Sequence, residues 1–238
     1  PCRDELDVYA SCSDLDWAME LGFRKFKIGN FIQPSDGVAG INRLEDEVGA
    51  ARDKVGPDAD LMLNVVMGYN VEFAIRVAER LLPYRLSWLE EPLMPWDHGG
   101  HARLKAAVPT MPLATGETHR GRHAFAALIA AGGVDIVQPD IGWTGGITET
   151  QKIYALAETA GLQTILHVGA SRPEAQHFSL AMPECVLAEY NIRSAAGIPL
   201  EEVRRVPGMP VPRDGKLRLS DAPGLGTEYR PDDFAPFR

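Results

Sequence analysis

Three oxygen-bearing side chains, Asn64, Glu90 and Glu117, each lie at or near the end of a short apolar stretch, "LMLNVV", "SWLEE" and "PLATGE". The amines Lys25 and Lys27 sit in an earlier stretch, "KFKIG"; Asp140 in "VDIVQPD", His167 in "QTILHV" and Glu189 in "CVLAEY" end later ones. Three oxygen donors brought together would suit a hard cation such as Mg²⁺, with water and substrate completing an octahedron. Lys27 precedes that trio and His167 follows it, so two titratable groups could reach opposite faces of one substrate. A base and an acid across a metal point to removal of a proton beside a carboxylate. Such a proton is barely acidic in water, and a divalent cation on the carboxylate oxygens stabilises the enediolate that forms. Lys25 and the cation would depress the pKa of Lys27, and Asp140 would hold and polarise His167. Loss of a β-hydroxyl would then give dehydration; return of a proton to the α carbon would give racemisation or epimerisation.

This chemistry requires the stretch ends to meet. Eight stretches of strand length run from "LDVYASC" to "CVLAEY", with helical patterns between them. Ile41, Leu44, Val48, Ala51 and Val55 form one apolar stripe; Phe73, Ala74, Val77, Ala78, Leu81 and Leu82 form another that stops before Pro83. Strict strand and helix alternation predicts an α/β fold, a TIM-like (β/α)7β barrel of parallel strands over residues 1–205. In such a barrel the chemistry sits at the C-terminal rim. The rival, an open doubly wound sheet, lacks its glycine fingerprint, since "YASCSDLD" contains no glycine. The Pro- and Gly-rich run from about Val206 predicts an extended C-terminal tail over 206–238, packed on the barrel or on another domain.

A chain of 238 residues can bury a large core, and 45% hydrophobic with 24% charged residues is ordinary for a globular protein. No apolar run approaches the ~18 residues of a membrane span. Acids exceed bases by 33 to 24, a formal charge of −9 with no basic cluster, which argues against a nucleic-acid partner. Cys2, Cys12 and Cys185 are scattered, so neither a disulfide framework nor a zinc site is expected, and a reducing cytoplasm fits.

Each residue also has a plainer reading. A lone acid at a strand end is more often a helix cap or a solvated charge, a single strand-end histidine is as often structural, and Glu91 before Pro92 could simply pair with a neighbouring lysine or arginine. His98, His101, His123 and His177 read as surface residues; His119 follows Glu117 closely. The order carries the functional reading: amide, carboxylate, carboxylate, aspartate and histidine on consecutive strands.

At these residues the chain resembles the enolase superfamily, mandelate racemase subgroup. "KFK", "LMLN", "WLEEP", "TGE", "QPDIGWTGGITE" and "LHVGAS" carry the resemblance, and "GASRPEAQHFSLAMPE" with the Pro-rich tail is similar to sugar-acid dehydratases of the rhamnonate dehydratase kind. Sites of that superfamily are known to pair a Lys or His base with Mg²⁺. The resemblance implies Asn64, Glu90 and Glu117 as Mg²⁺ ligands, Lys27 as one base, and His167 with Asp140 as the opposite base or acid. It also implies Glu189 as a partner of the substrate carboxylate, a small sugar acid as substrate, and assembly into a homo-oligomer. Two features depart from the family pattern: Asn64 stands where an aspartate is usual, and the α+β capping domain expected ahead of the barrel is not in the sequence. The expected reaction is dehydration of an aldonate to a 2-keto-3-deoxy acid. Its rivals are an epimerase on the same site, a non-catalytic barrel, and a Schiff-base aldolase using Lys27.

Overall fold

The structure is a computed structural model that describes residues 3–203 and 206–230; Cys2 and the last residues of the expected tail, 231–238, lie outside them. The first half of the chain alternates β1 (Leu6–Ser11), α1 (Leu15–Glu20), β2 (Lys25–Gly29), α2 (Gly37–Val55), β3 (Asp60–Asn64), α3 (Val71–Leu81) and β4 (Trp88–Glu90). The second half continues with α4 (His98–Ala107), β5 (Leu113–Thr115), α5 (Gly121–Ala130) and β6 (Ile136–Val137). Then come α6 (Ile141–Thr144), α7 (Ile147–Thr159), β7 (Gln163–Thr164), α8 (Pro173–Ala181), β8 (Leu187–Asn191) and β9 (Lys216–Leu217).

Period-two alternation decides which way each side chain faces. Phe26, Leu61, Leu63, Leu89 and Ala188 point outward and pack with Ile41, Leu44 and Val48 of α2 and Phe73 and Val77 of α3 in the main hydrophobic cluster. The other parity points inward: Tyr9, Met62, Trp88, Ala114, Ile136, Ile165 and Leu187 meet in a second cluster. Side chains from so many strands can touch only if the sheet curls upon itself. Asn70 caps α3 by accepting from the Phe73 N–H, and Gly56, at φ +87, closes α2. Of the second predicted stripe only Leu82 leaves the core, because it begins a 3₁₀ turn containing Pro83 and is 39% exposed.

Parallel ladders run in the order β7-β6-β5-β4-β3-β2-β1-β8. The predicted barrel closure is not present as a ladder: among the described residues β7 and β8 do not pair. β7 pairs with β6 for two residues, and the chain then turns at Val168, whose φ is +49. Loop bonds take over that joint, Ala170 N–H donating to Glu189 O at 2.7 Å and Asn191 N–H to Ser171 Oγ at 3.0 Å. Several strands also end earlier than the apolar stretches suggest. β5 stops at Thr115 before Gly116 (φ +133), and β6 stops at Val137 before Pro139, so Glu117, Asp140 and His167 stand in loops just past strand ends. In the tail, β9 pairs antiparallel with Leu6–Asp7 of β1, and Met209, Val211 and Leu217 are buried. No helix among the described residues is long and apolar enough to cross a membrane.

Candidate active site

Lys27 faces inward from the middle of β2 and is 3% exposed. Its Nζ pairs with Glu90 at the end of β4 and with Glu189 on β8 at 2.7 Å, and lies 5.4 Å from the centre of the Tyr9 ring. Burial works against the lysine charge, but Glu189 and Glu90 outweigh it and hold its pKa well above the ordinary value. The sequence predicts a depressed pKa with Lys25 and a bound cation as the cause; Lys25 plays no part, and Glu189 and Glu90 act in the opposite sense. Lys25 shares the inward parity of Lys27 but begins the strand, about 6–7 Å lower at 3.3 Å per residue. It pairs there with Asp60 at 2.5 Å and Asp7 at 3.9 Å and does not reach the other site residues.

Glu90 is 1% exposed and bonded on both oxygens. Lys27 and Asn64 Nδ2 (2.7 Å) donate to Oε1, Trp88 Nε1 (2.9 Å) and Gln138 Nε2 (2.8 Å) to Oε2. These four donors match the roughly four acceptor positions of a carboxylate. The Asn64 oxygen accepts the Val66 N–H at 2.8 Å. Asn64 and Glu90 are thus bonded to each other at the strand ends, and the Asn64 oxygen keeps one lone pair beyond the bond from Val66. Among the described residues no group of three or more His, Cys, Asp and Glu side chains is arranged to hold a metal ion.

Glu117 fits a cation better. Among the described residues its nearest charged partner is His167 Nε2 at 3.6 Å, beyond hydrogen-bond length. Burial pushes its pKa up to about 7; His167 opposes the shift, and the charges of Glu91 and Glu90 add to it. Glu91, 1% exposed, bonds no lysine or arginine among the described residues. Its Oε1 accepts from Thr115 Oγ1 at 2.6 Å and Gly116 N–H at 3.0 Å, while its buried Oε2 has no partner among the described residues. Two under-bonded carboxylates on adjacent strand ends are a donor set that suits a hard divalent ion.

His167 Nδ1 lies 2.8 Å from Asp140 Oδ2. The other Asp140 oxygen accepts the Gly142 N–H (2.8 Å), the Trp143 N–H (3.1 Å) and Arg172 Nη1 (3.2 Å). Burial raises the Asp140 pKa, but His167 and Arg172 bring it below the ordinary value. An ionised Asp140 makes Nδ1 the donor and leaves the Nε2 lone pair facing Glu117. Burial disfavours the imidazolium, yet Asp140, Glu189 and Glu117 together raise the His167 pKa. Glu189 is ionised too: burial opposes its charge, and Lys27 and His167 prevail. With one oxygen on Lys27 and the other on the Val168 N–H at 2.8 Å, Glu189 anchors the lysine and has no proton to share with a substrate carboxylate.

A cavity of about 680 Å³, lined by Ser11, Ser13, Lys27, Asn64 and Asn191 among others, opens beside this network. A second, of about 430 Å³, lies beside His167, Trp143, Ser171 and Arg172 and shares Asn191 with the first. The sequence reading thus missed Trp88, Gln138 and Arg172. Trp88 shares the parity of Glu90 in "SWLEE", and Gln138 stands two residues before Asp140; both signals were available.

The family model for the enolase C-terminal domain-like proteins matches residues 13–233. L-Rhamnonate dehydratase of Saccharopolyspora erythraea is 36% identical over 236 residues, covering 98% of this chain and 60% of that protein. A rhamnonate dehydratase structure from Gibberella zeae complexed with Mg superposes with a TM-score of 0.88 at 32% identity, covering 97% of this chain and 57% of the other. A racemase from Streptomyces coelicolor A3(2) with bound magnesium gives 0.80 at 26% identity, covering 95% and 61%. The chain thus spans about 60% of the length of the curated relative, and it belongs to the enolase C-terminal domain-like family.

Proposed function

We propose that the protein is a Mg²⁺-dependent sugar-acid dehydratase that converts an aldonate to a 2-keto-3-deoxy acid. One observation carries this reading: a histidine oriented by an ionised aspartate faces a nearly unpartnered carboxylate, with a buried lysine ammonium in the same mouth. The relatives named as L-rhamnonate dehydratases support the substrate class. In this reading residues 1–205 form the catalytic unit and 206–238 a tail packed on it.

Mg²⁺, when bound, supplies positive charge beside the substrate carboxylate and makes the neighbouring C2 proton more acidic. His167 Nε2, its Nδ1 proton fixed on Asp140, takes the C2 proton. The C2–H electron pair becomes a C2–C3 double bond as the C3 hydroxyl leaves, and the His167 imidazolium returns the proton so that water departs. The enol then tautomerises to the keto acid. Lys27 stays charged throughout and lends its ammonium to the anionic end of the substrate. An ammonium held by two carboxylates does not favour a Schiff-base aldolase, which needs a neutral lysine as nucleophile.

A panel of aldonates with Mg²⁺ and keto-acid detection tests the proposal. At least one aldonate should give a keto acid, and His167→Asn should cut kcat by about 10²–10⁴. No keto acid from any member of the panel would overturn it.

A further inference from the structure

Resting on the reading that His167 takes the C2 proton of an acid sugar, we propose that the cavity of about 430 Å³ beside His167 receives the far end of that substrate, and that this end carries a second anionic group, a carboxylate or a phosphate. The loops that follow β7 and β8 wall the cavity and supply His167, Arg172, Asn191 and Arg193. In parallel α/β barrels the loops after the seventh and eighth strands often cradle a phosphate. The charge here is one-sided. Arg172 and Arg193 line the cavity, and among the described residues no aspartate or glutamate does, although the chain as a whole has a formal charge of −9.

Arg172 stands one carboxylate away from the base: its Nη1 donates to Asp140 Oδ1 at 3.2 Å, and Asp140 Oδ2 lies 2.8 Å from His167 Nδ1. That bond uses one of the five N–H donors of a guanidinium, and the side chain is 36% exposed. Gly142 keeps the space open. Its φ is not left-handed, yet a Cβ there would stand 2.2 Å from Arg172 Nη1, so the guanidinium and not the backbone is what calls for glycine. Arg193 forms no ion pair among the described residues, and its exposed fork faces the same space. Between base and arginines lies an apolar wall. The Trp143 indole is held between the Arg120 guanidinium at 4.8 Å and the His167 ring at 5.6 Å, and it suits the carbon chain of a substrate. Asn191 lines this cavity and the one beside Lys27, so a chain with its C1 carboxylate at Lys27 and C2 at His167 can run past Asn191 into it. Hydrogen bonds from arginine to a carboxylate or phosphate are about twice as strong as those to a neutral hydroxyl, which is why the far end is anionic.

Initial rates with Mg²⁺ on matched acid sugars of one configuration, the aldonate, the aldarate and the 6-phosphoaldonate, test the proposal in the protein and in Arg193→Gln. In the parent, kcat/KM for the aldarate or the 6-phosphoaldonate should exceed that for the plain aldonate at least about tenfold. An advantage of the aldarate identifies a carboxylate as the group received, and an advantage of the 6-phosphoaldonate identifies a phosphate. Arg193→Gln should remove most of that advantage and leave the plain aldonate unchanged. Equal kcat/KM for all three in the parent, or a fall in Arg193→Gln that is the same for all three, overturns the proposal and leaves the dehydratase reading intact. A preference for the anionic end that survives unchanged in Arg193→Gln puts the anion elsewhere and overturns the assignment of the cavity. No keto acid from any of the three overturns both readings. Should Arg193→Gln not fold, the order of the three substrates in the parent decides alone.

Discussion

Lys27 takes its chemistry from its surroundings. Alone in an apolar interior it would shed its proton, but between Glu90 and Glu189 it holds it. Breaking such a buried arrangement leaves two carboxylates uncompensated. Lys27→Met should therefore lower unfolding stability by about 3–5 kcal/mol, measured by urea titration. Glu117 makes a second prediction. Its folded pKa, about 7, lies above the unfolded value, so its stabilising contribution is full in acid and is lost as pH rises through about 7. His167, also raised, acts in the same sense above its ordinary pKa, whereas the lowered Asp140 and Glu189 contribute above the ordinary carboxylate range and lose that contribution in acid. The melting temperature should peak at mildly acidic pH and fall toward pH 8, and Glu117→Gln should flatten that alkaline fall. An unchanged slope in the variant would exclude Glu117 as its source.

At the scale of elements, the strand ends aim the site and glycines make the room. Gly116 sits at φ +133, and a Cβ there would lie 2.8 Å from the Phe125 ring and 3.1 Å from the Gln138 backbone nitrogen. Gly116→Ala should cost on the order of 1–3 kcal/mol and displace both Glu117 and the amide that holds Glu91, a change visible as a lowered melting temperature with weakened Mg²⁺ binding. Gly142 does the same for Arg172, whose Nη1 lies 2.2 Å from where a Cβ would stand. The legible part of the sequence was the alternation of elements. Lys27, Asn64, Glu90 and Glu189 could be assigned to strands from the apolar stretches that carry them, and the stripes of α2 and α3 could be read from their spacing. Pairing was not legible. That Glu90 would be filled by Trp88 and Gln138, and that Lys25 would end at the far rim with Asp60, depends on register and strand length, which no local pattern encodes. The short α6, capped by Asp140, was hidden within "DIGWTGG".

For the whole molecule, the joint between β7 and β8 is the weak seam, held by loop bonds where the other strand pairs have ladders. Amide exchange should be faster at Gln163 and Thr164 than across the β1–β8 ladder, which spans five register pairs. The tail reinforces the other side by adding β9 to β1 and burying Met209, Val211 and Leu217. Each of those side chains contributes roughly 1.5–3 kcal/mol when fully buried, so truncation after residue 205 should destabilise the fold by several kcal/mol. The central claim, that groups far apart in sequence meet at one mouth to take a proton from C2 of an aldonate, is tested most directly by proton NMR of the aldonate panel with the protein and Mg²⁺ in D₂O. The account predicts loss of the C2 proton signal together with growth of a 2-keto-3-deoxy product, both abolished in His167→Asn. A C2 signal that persists for every aldonate of the panel in the presence of Mg²⁺, or that exchanges with solvent while no keto acid forms, would contradict it.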